Sequence, residues 1–249
     1  MTSRPGFAAI SFGLFVSLAP LAASDAAEVK VFTARALATV LEQVGPEFER
    51  TTGHKLNVVS GFGPVFLTQI NAGEPFDVFI STPAGMARLF EQGKLIPDSR
   101  TILARSGTGV EVRAGAPKPD VTSVEAFKRA LLDAKSIGYR RVGGVPQLLE
   151  RLGIADAVRS KVTIPDTDIV SELVAKGELE LGIVVITQIL TTPGVELVGP
   201  LPPEIQVYVE FAAGISAGSQ APEAARALIR FLTRPAVVPV LTSQGMEPG

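Results

Sequence analysis

The sequence contains no cysteine, so thiol catalysis and cysteine-ligated metal sites are excluded. A chain of 249 residues with 46% hydrophobic side chains can bury enough core to fold without disulfides. Histidine occurs once, at His54, in a stretch that is typical of a turn between a helix and a strand. We therefore expect a surface loop histidine there, and neither a Ser-His-Asp triad nor a histidine-rich zinc site.

The charge pattern also lacks a long basic run, and the net charge is −2. Nucleic acid binding requires a clustered positive surface that can face phosphates, so we exclude nucleic acid as the main partner. The sequence shows no motif for a metal or another cofactor, and we expect neither.

Residues 1–26 differ from the rest of the chain in composition. Arg4 supplies a positive charge, residues 7–21 are almost entirely apolar, and Ser24 and Ala26 place small side chains at the two key positions of a cleavage site. This pattern is typical of a secretory signal peptide, since an apolar core of 15 residues is shorter than the ~20 needed to span a bilayer. We expect a mature chain that begins near Ala27 and resides in the periplasm.

From residue 29 onward, short buried strands alternate with helices. Residues 29–33 read as a strand that turns directly into a helix, whose apolar face is marked by the spacing of Leu37, Val40, Leu41, Val44 and Phe48. Pro46 is expected to kink or split this helix. Further strands are predicted at residues 55–60, 77–81, 136–139, 162–164 and 181–187, with helices between them. Such alternation predicts parallel, doubly wound α/β sheets.

Two extended segments interrupt the alternation and suggest crossings between two lobes. The first covers residues 103–112 and the second residues 196–210, which we expect to act as hinges. The fold class predicted is therefore α/β with two lobes, each built on a doubly wound mixed sheet. The expected first lobe contains residues 27–104 and 205–249, and the second contains residues 105–204. Ligands of such sheets bind outside the carboxyl ends of the strands.

Four segments give the chain a resemblance to the periplasmic molybdate-binding proteins of ABC importers, which have the type II periplasmic-binding-protein fold. They are residues 31–37 (VFTARAL), 69–80 (QINAGEPFDVFI), 149–153 (LERLG) and 181–184 (LGIV). The resemblance covers essentially the whole mature chain. It implies a monomeric binding protein for a small anion, with an ABC transporter permease as its partner.

The resemblance places the ligand site at the ends of the strands and at the starts of the following helices. The ligand-binding residues expected on this basis are Thr33, Arg35, Ala36, Gly63, Pro64, Arg140, Arg141, Thr167 and Val185. Family members usually present a serine where this chain has Ala36, and a tyrosine where it has Val185. Hydroxyl donors for a tetrahedral oxyanion are thus replaced, whereas arginines suited to carboxylates have appeared. We therefore expect a small carboxylate rather than molybdate.

The same family shape also includes a periplasmic isomerase of small tricarboxylates, aconitate isomerase. An isomerase needs a general base near the reacting carbon. The candidates are Tyr139, Asp166 and Asp168, each of which also has an ordinary structural role at a strand end or a helix cap. If the protein is an enzyme, we expect Arg35, Tyr139 and Asp168 to be the catalytic residues.

Overall fold

A computed structural model of the chain describes residues 26–61, 63–141, 144–165 and 169–249. The strands are β1 (Glu28–Ala34), β2 (Lys55–Gly61), β3 (Val78–Ser81), β4 (Thr101–Arg113), β5 (Ile137–Tyr139), β6 (Val162–Thr163), β7 (Leu181–Val185), β8 (Val195–Pro200), β9 (Tyr208–Ile215) and β10 (Glu247–Pro248). The helices are α1 (Arg35–Thr52), α2 (Gly63–Asn71), α3 (Pro83–Glu91), α4 (Val124–Asp133), α5 (Val145–Arg151), α6 (Ala155–Val158), α7 (Val170–Lys176), α8 (Ile186–Thr191), α9 (Pro222–Leu232) and α10 (Val238–Ser243). Short 3-10 turns cover Pro97–Ser99, Arg159–Lys161, Pro203–Ile205 and Pro235–Val237. Within these residues, no helix has the length and apolar character needed to cross a membrane.

The strands form two mixed sheets that share β4. In the first sheet β2, β1 and β3 run parallel, and β9 lies antiparallel between β3 and the first half of β4. In the second sheet β7, β5 and β6 run parallel, while β7 and β8 flank the second half of β4 in antiparallel pairing. The predicted α/β fold with two mixed sheets is confirmed, and the bounds that we assign to the two lobes remain a proposal.

The second crossing is tied to the middle of β4 at Thr108. The backbone N–H of Thr108 donates to the Val207 carbonyl at 2.9 Å and to the Gln206 side-chain oxygen at 2.9 Å. Its hydroxyl also donates to the Val207 carbonyl at 2.9 Å, and its own carbonyl accepts from the N–H of Leu201 at 3.0 Å. These bonds add to the pairing of β4 with β8 and β9, which joins the two segments that we expect to act as hinges along most of their length.

The first sheet buries its two faces in two different cores, because successive side chains of a strand point to opposite sides. Val31 of β1 packs with Leu37 and Phe48 of α1 and with the apolar face of α9. Phe32, the next residue, faces α2 and α3, where its ring stacks on that of Phe66 with 4.7 Å between the centroids. The last helices therefore pack on the first sheet, as the sequence predicts.

The second sheet buries a carboxylate, Glu111 of β4, which is completely inaccessible to solvent. Glu111 lies opposite Gly182 of β7, and Gly182 lies opposite Gly138 of β5. A Cβ atom added to Gly182 would lie 2.2 Å from Oε1 of Glu111, and one added to Gly138 would meet Val170 of α7 at 2.9 Å. The two glycines therefore leave the space that the Glu111 side chain and α7 occupy.

Several predictions of local structure are wrong in detail. α1 is one continuous helix of 18 residues that contains Pro46, so the proline does not split it. Pro46 is exposed, and the carbonyl of Glu42 that it leaves without a helical donor is on an exposed residue, where water can bind it.

The strand predicted at residues 181–187 is also shorter than expected. β7 ends at Val185, and the following residues form α8. Ile186 and Thr187 are β-branched, which favours a strand, but Thr187 and Ile189 are buried by packing of α8 on the second sheet. The helix predicted between the strands at 162–164 and 181–187 is present as α7, which begins at Val170, and residues 166–168 lie outside the described residues.

The expectation of a surface histidine is wrong. His54 does follow the end of α1, but its side chain is buried, with 6% of the residue exposed. Its ring lies 6.2 Å from that of Phe48, and its Nδ1 accepts a hydrogen bond from the backbone N–H of Ala27 at 3.3 Å. The polar turn residues around His54 gave no sign of its bond to Ala27, because the two residues are 27 positions apart.

We predict that Gly182→Ala lowers the free energy of unfolding by about 1–3 kcal/mol or more, because the added methyl group overlaps the buried carboxylate of Glu111. The matched control is Gly218→Ala, where the added Cβ meets only the Ser216 hydroxyl at 3.9 Å. That change should stay within about 0.5 kcal/mol. Urea unfolding measures both.

The same overlap predicts that the cost of Gly182→Ala is smaller when Glu111 is also replaced by alanine. An equal cost in the two backgrounds would show that the crowding has another source.

Candidate functional site

The carboxyl ends of three parallel strands lie side by side at one edge of the first sheet. Ala34 at the end of β1 pairs with Gly61 at the end of β2, and Thr33 pairs with Ile80 of β3. Because α1, α2 and α3 each follow one of these strands, their N-termini begin at this same edge. This is the edge at which the sequence predicts an anion site.

The start of α1 carries positive charge without an internal anion. Its N-cap residue Ala34 is extended and makes no side-chain cap, and its first turn contains no acidic residue. Arg35, the first helical residue, is exposed and forms no ion pair within the described part of the chain. The free N–H groups, the positive end of the helix dipole and the guanidinium therefore all contribute to a positive electrostatic potential at this helix start.

The neighbours of Arg35 offer fewer accessible donors to an anion than the sequence suggests. Thr33 is completely buried, and its hydroxyl donates to the Ala34 carbonyl at 3.3 Å. Ala36 is half-buried and packs against the core of the first lobe. Of the three candidate residues on this segment, only Arg35 presents a charged donor to solvent.

At the start of α2, the structure brings a residue that sequence reasoning missed close to one of the predicted positions, Gly63. Gly63 is half-buried and Pro64 is exposed. The Ser81 hydroxyl lies 3.8 Å from the position that a Cβ atom on Gly63 would occupy, and 2.8 Å from the corresponding position on Gly85 of α3. Ser81 thus places a hydroxyl between the starts of two helices. Its position as the last residue of a strand before Pro83 was the available sequence signal.

The second sheet supplies two arginines and a tyrosine at the end of β5. Tyr139 is the last residue of that strand and is buried, Arg140 is half-buried and Arg141 is exposed. Since Tyr139 pairs with Ile183 of the parallel strand β7, these residues lie at the same edge as Val185, the last residue of β7. Val185 is half-buried and has no hydroxyl to donate.

The environment of Tyr139 determines whether its phenol can act as a general base. Burial raises the pKa of its phenol above the usual value, and the positive charge of Arg141 opposes that rise. The ring also lines a cavity of about 300 Å³ with Leu149, Arg159 and Ile164 of the second lobe. Because a raised pKa leaves less phenolate at neutral pH, Tyr139 is better suited to donate a proton than to remove one.

The remaining candidates cannot be placed. Thr167 and Asp168, together with Asp166, lie outside the described residues. Within the described ranges, no group of three or more histidine, aspartate or glutamate side chains is arranged to hold a metal ion.

Two mixed α/β sheets that share a long strand, with helix starts and cations at the strand ends, define a two-lobed periplasmic-binding-protein fold. The family described as bacterial extracellular solute-binding protein matches residues 29–247. The chain belongs to this family.

Two known proteins and one solved structure are similar to the chain over most of their length. An aconitate isomerase of a Pseudomonas species is 29% identical over 244 residues, which cover 94% of this chain and 93% of that protein. The molybdate-binding protein ModA of Azotobacter vinelandii is 29% identical over 243 residues, with 90% and 91% coverage. A solved structure of the periplasmic molybdate-binding protein of Azotobacter vinelandii superposes with a TM-score of 0.68 at 24% identity, covering 89% of this chain and 99% of that one. The resemblance to the molybdate-binding proteins is therefore confirmed.

We predict that Tyr139 ionises at a higher pH in the folded protein than in the unfolded chain. The protein has two tyrosines, so Tyr208→Phe leaves Tyr139 as the only source of phenolate absorbance. A folded pKa above the unfolded value near 10 also means that the stability contributed by Tyr139 is present below about pH 10 and is lost as the pH rises through the folded pKa.

Adding Arg141→Gln to this variant should move the folded titration higher still, since it removes the charge that lowers the pKa. Titration of folded protein at or below the pH found in urea would contradict the burial argument.

Proposed function

We propose that this protein captures a small anion in the cleft between its two lobes, in the periplasm, and passes it as a monomer to the permease of an ABC importer. The observation that carries this proposal is the start of α1, where Arg35 and the free N–H groups form a positive site without an internal anion. Such a helix start favours a bound anion. The family, whose members are extracellular solute-binding proteins, supports the same function.

The chemistry of the site favours a small di- or tricarboxylate over molybdate. Arginine offers a planar fork of N–H donors that matches a carboxylate. Arg35 lies at the edge of the first sheet, and Arg140 and Arg141 lie at the edge of the second, so a ligand with two or three carboxylates can engage both lobes. Ala36 and Val185 supply no hydroxyl, whereas Ser81 places one near the starts of α2 and α3.

The similar proteins differ in the ligand that their names state. The Azotobacter vinelandii protein is a molybdate-binding protein, whereas the Pseudomonas protein is an isomerase of aconitate, a tricarboxylate. Both are 29% identical to the chain, so identity alone does not choose between an oxyanion and a carboxylate. The choice rests on the arginines and on the missing hydroxyls.

We predict that titration calorimetry detects tighter binding of a small di- or tricarboxylate, such as trans-aconitate, than of molybdate or tungstate. Arg35→Ala should weaken carboxylate affinity by about 10- to 100-fold, because each charge-assisted hydrogen bond contributes about 1.5–3 kcal/mol. The matched control is Arg230→Ala. Arg230 is an exposed arginine in the last turn of α9 and should leave the affinity unchanged.

Tight binding of molybdate, with no measurable affinity for carboxylates, would overturn the carboxylate proposal but not the proposal that the protein binds a small anion. Equal losses with Arg35→Ala and Arg230→Ala would show that the start of α1 is not the anion site.

The second candidate function is isomerisation of a small tricarboxylate, favoured by the similarity to aconitate isomerase over 94% of the chain. A proton shift between two carbons needs a positioned base and donors that stabilise the developing negative charge. Arg35 would supply the charge stabilisation and Asp168 the base. Tyr139, with its raised pKa, would return the proton.

We predict that, if the chain is an isomerase, incubation with trans-aconitate yields the cis isomer without added metal or nucleotide. Arg35→Ala should then reduce both turnover and binding, and Asp168→Asn should reduce turnover while the ligand still binds. Chromatography of the mixture measures the product. Binding of trans-aconitate without any cis product, however long the mixture stands, would exclude aconitate isomerisation and leave the binding protein.

A further inference from the structure

The buried ring of His54 binds the backbone at the start of β1. Nδ1 of His54 accepts a hydrogen bond from the backbone N–H of Ala27 at 3.3 Å. The ring also lies beside that of Phe48 of α1. The backbone N–H of His54 donates to the Thr52 hydroxyl at 3.3 Å. These contacts fix an acceptor at the point where the chain enters the first sheet. The anion site does not use it.

Ala27 is tied into the fold by three of its groups. Besides its N–H, its carbonyl accepts from the N–H of Lys55 at 2.8 Å, and its methyl group packs against the core of the first lobe. Ala27 is half-buried, whereas the preceding residue, Ala26, is exposed and belongs to no strand or helix. The change from an exposed to an anchored residue falls between these two alanines.

The sequence predicts a cleavage at the same bond. Ser24 and Ala26 are the small residues that a signal peptidase requires three residues and one residue before the cut. Hydrolysis of the Ala26–Ala27 peptide bond consumes one water molecule and leaves a carboxylate on Ala26 and an ammonium group on Ala27. The atom that donates to His54 would then be the α-amino nitrogen of the mature chain.

We propose that a signal peptidase cuts between Ala26 and Ala27 and that the new α-ammonium group docks on Nδ1 of His54. The uncut chain offers one neutral N–H at this place, whereas the cut chain offers a charged group with three donors. A hydrogen bond from a charged donor is about twice as strong as one between neutral groups. His54 therefore acts as the receptor of the mature N-terminus and stabilises the processed form of the protein over the form that carries a leader.

The cleavage site is tested by expressing the full 249-residue chain in a Gram-negative host and measuring the intact mass of the periplasmic protein. We expect the mass of a chain that begins at Ala27. A chain that begins at any other residue, or one that keeps residues 1–26, would overturn the proposal.

The docking is tested with two proteins made without a leader, one beginning at Ala27 and the other carrying a Gly-Ser-Gly extension before Ala27. Each is prepared with His54 and with His54→Phe, and unfolding in urea is measured. We expect His54→Phe to reduce the unfolding equilibrium constant by roughly fivefold more in the protein with the free terminus, because only that protein loses a charge-assisted bond. Equal losses in the two proteins would overturn the docking.

His54→Asn provides the conservative variant, since its side-chain oxygen can accept near the position of Nδ1. With asparagine, the protein that begins at Ala27 should keep most of its extra stability over the extended protein. This variant also keeps the test decisive if the phenylalanine variant does not fold. If the stability difference between the two proteins is as small with asparagine as with phenylalanine, the docking is contradicted. None of these measurements involves the anion site, so the proposed function stands or falls separately.

Discussion

The hydrogen-bond ladders of β4 hold the two halves of the molecule together. The first half of this 13-residue strand pairs with β9, and its second half lies between β7 and β8. Each sheet carries its own buried clusters, so the packing of one core does not position the other. The two sheets are joined by the ladders of β4 with β7, β8 and β9 and by the bonds at Thr108. α8 of the second sheet also lies against the chain at Gly245, where an added Cβ would meet Ile186 at 2.7 Å.

The same topology explains why the charges accumulate where they do. Parallel strands in each sheet bring their carboxyl ends to one edge, so every following helix begins there. An arginine at such a position is unfavourable without an anion, because it adds to the positive end of the helix dipole. Arg35 lies at the edge of the first sheet as the first residue of α1, and Arg140 and Arg141 follow β5 at the edge of the second.

Three of the buried polar residues have distinct local surroundings: Asp77, Glu111 and His54. Asp77 accepts from the backbone N–H of Lys30 at 2.9 Å and from the Ser219 hydroxyl at 2.6 Å, which joins β1 to the segment before α9. Glu111 occupies the space above Gly182. His54 binds Ala27. Because an uncompensated buried polar group costs more than its hydrogen bond contributes, these arrangements determine the side-chain positions more strictly than apolar packing does.

The sequence by itself predicted the α/β class and the order of most strands and helices, because hydrophobic periodicity and turn residues act over a few neighbouring positions. The family followed from the resemblance of four segments to the molybdate-binding proteins, and the match to the solute-binding family over residues 29–247 agrees with it. The sequence also predicted the positive start of α1, since Arg35 and Ala34 are adjacent in the chain. Only the tertiary structure decided that His54 is buried, that Ser81 lies beside Gly63 and that Ile186 begins a helix. Each of these depends on contacts between segments far apart in the sequence, where packing outweighs local preference and leaves no local pattern to read.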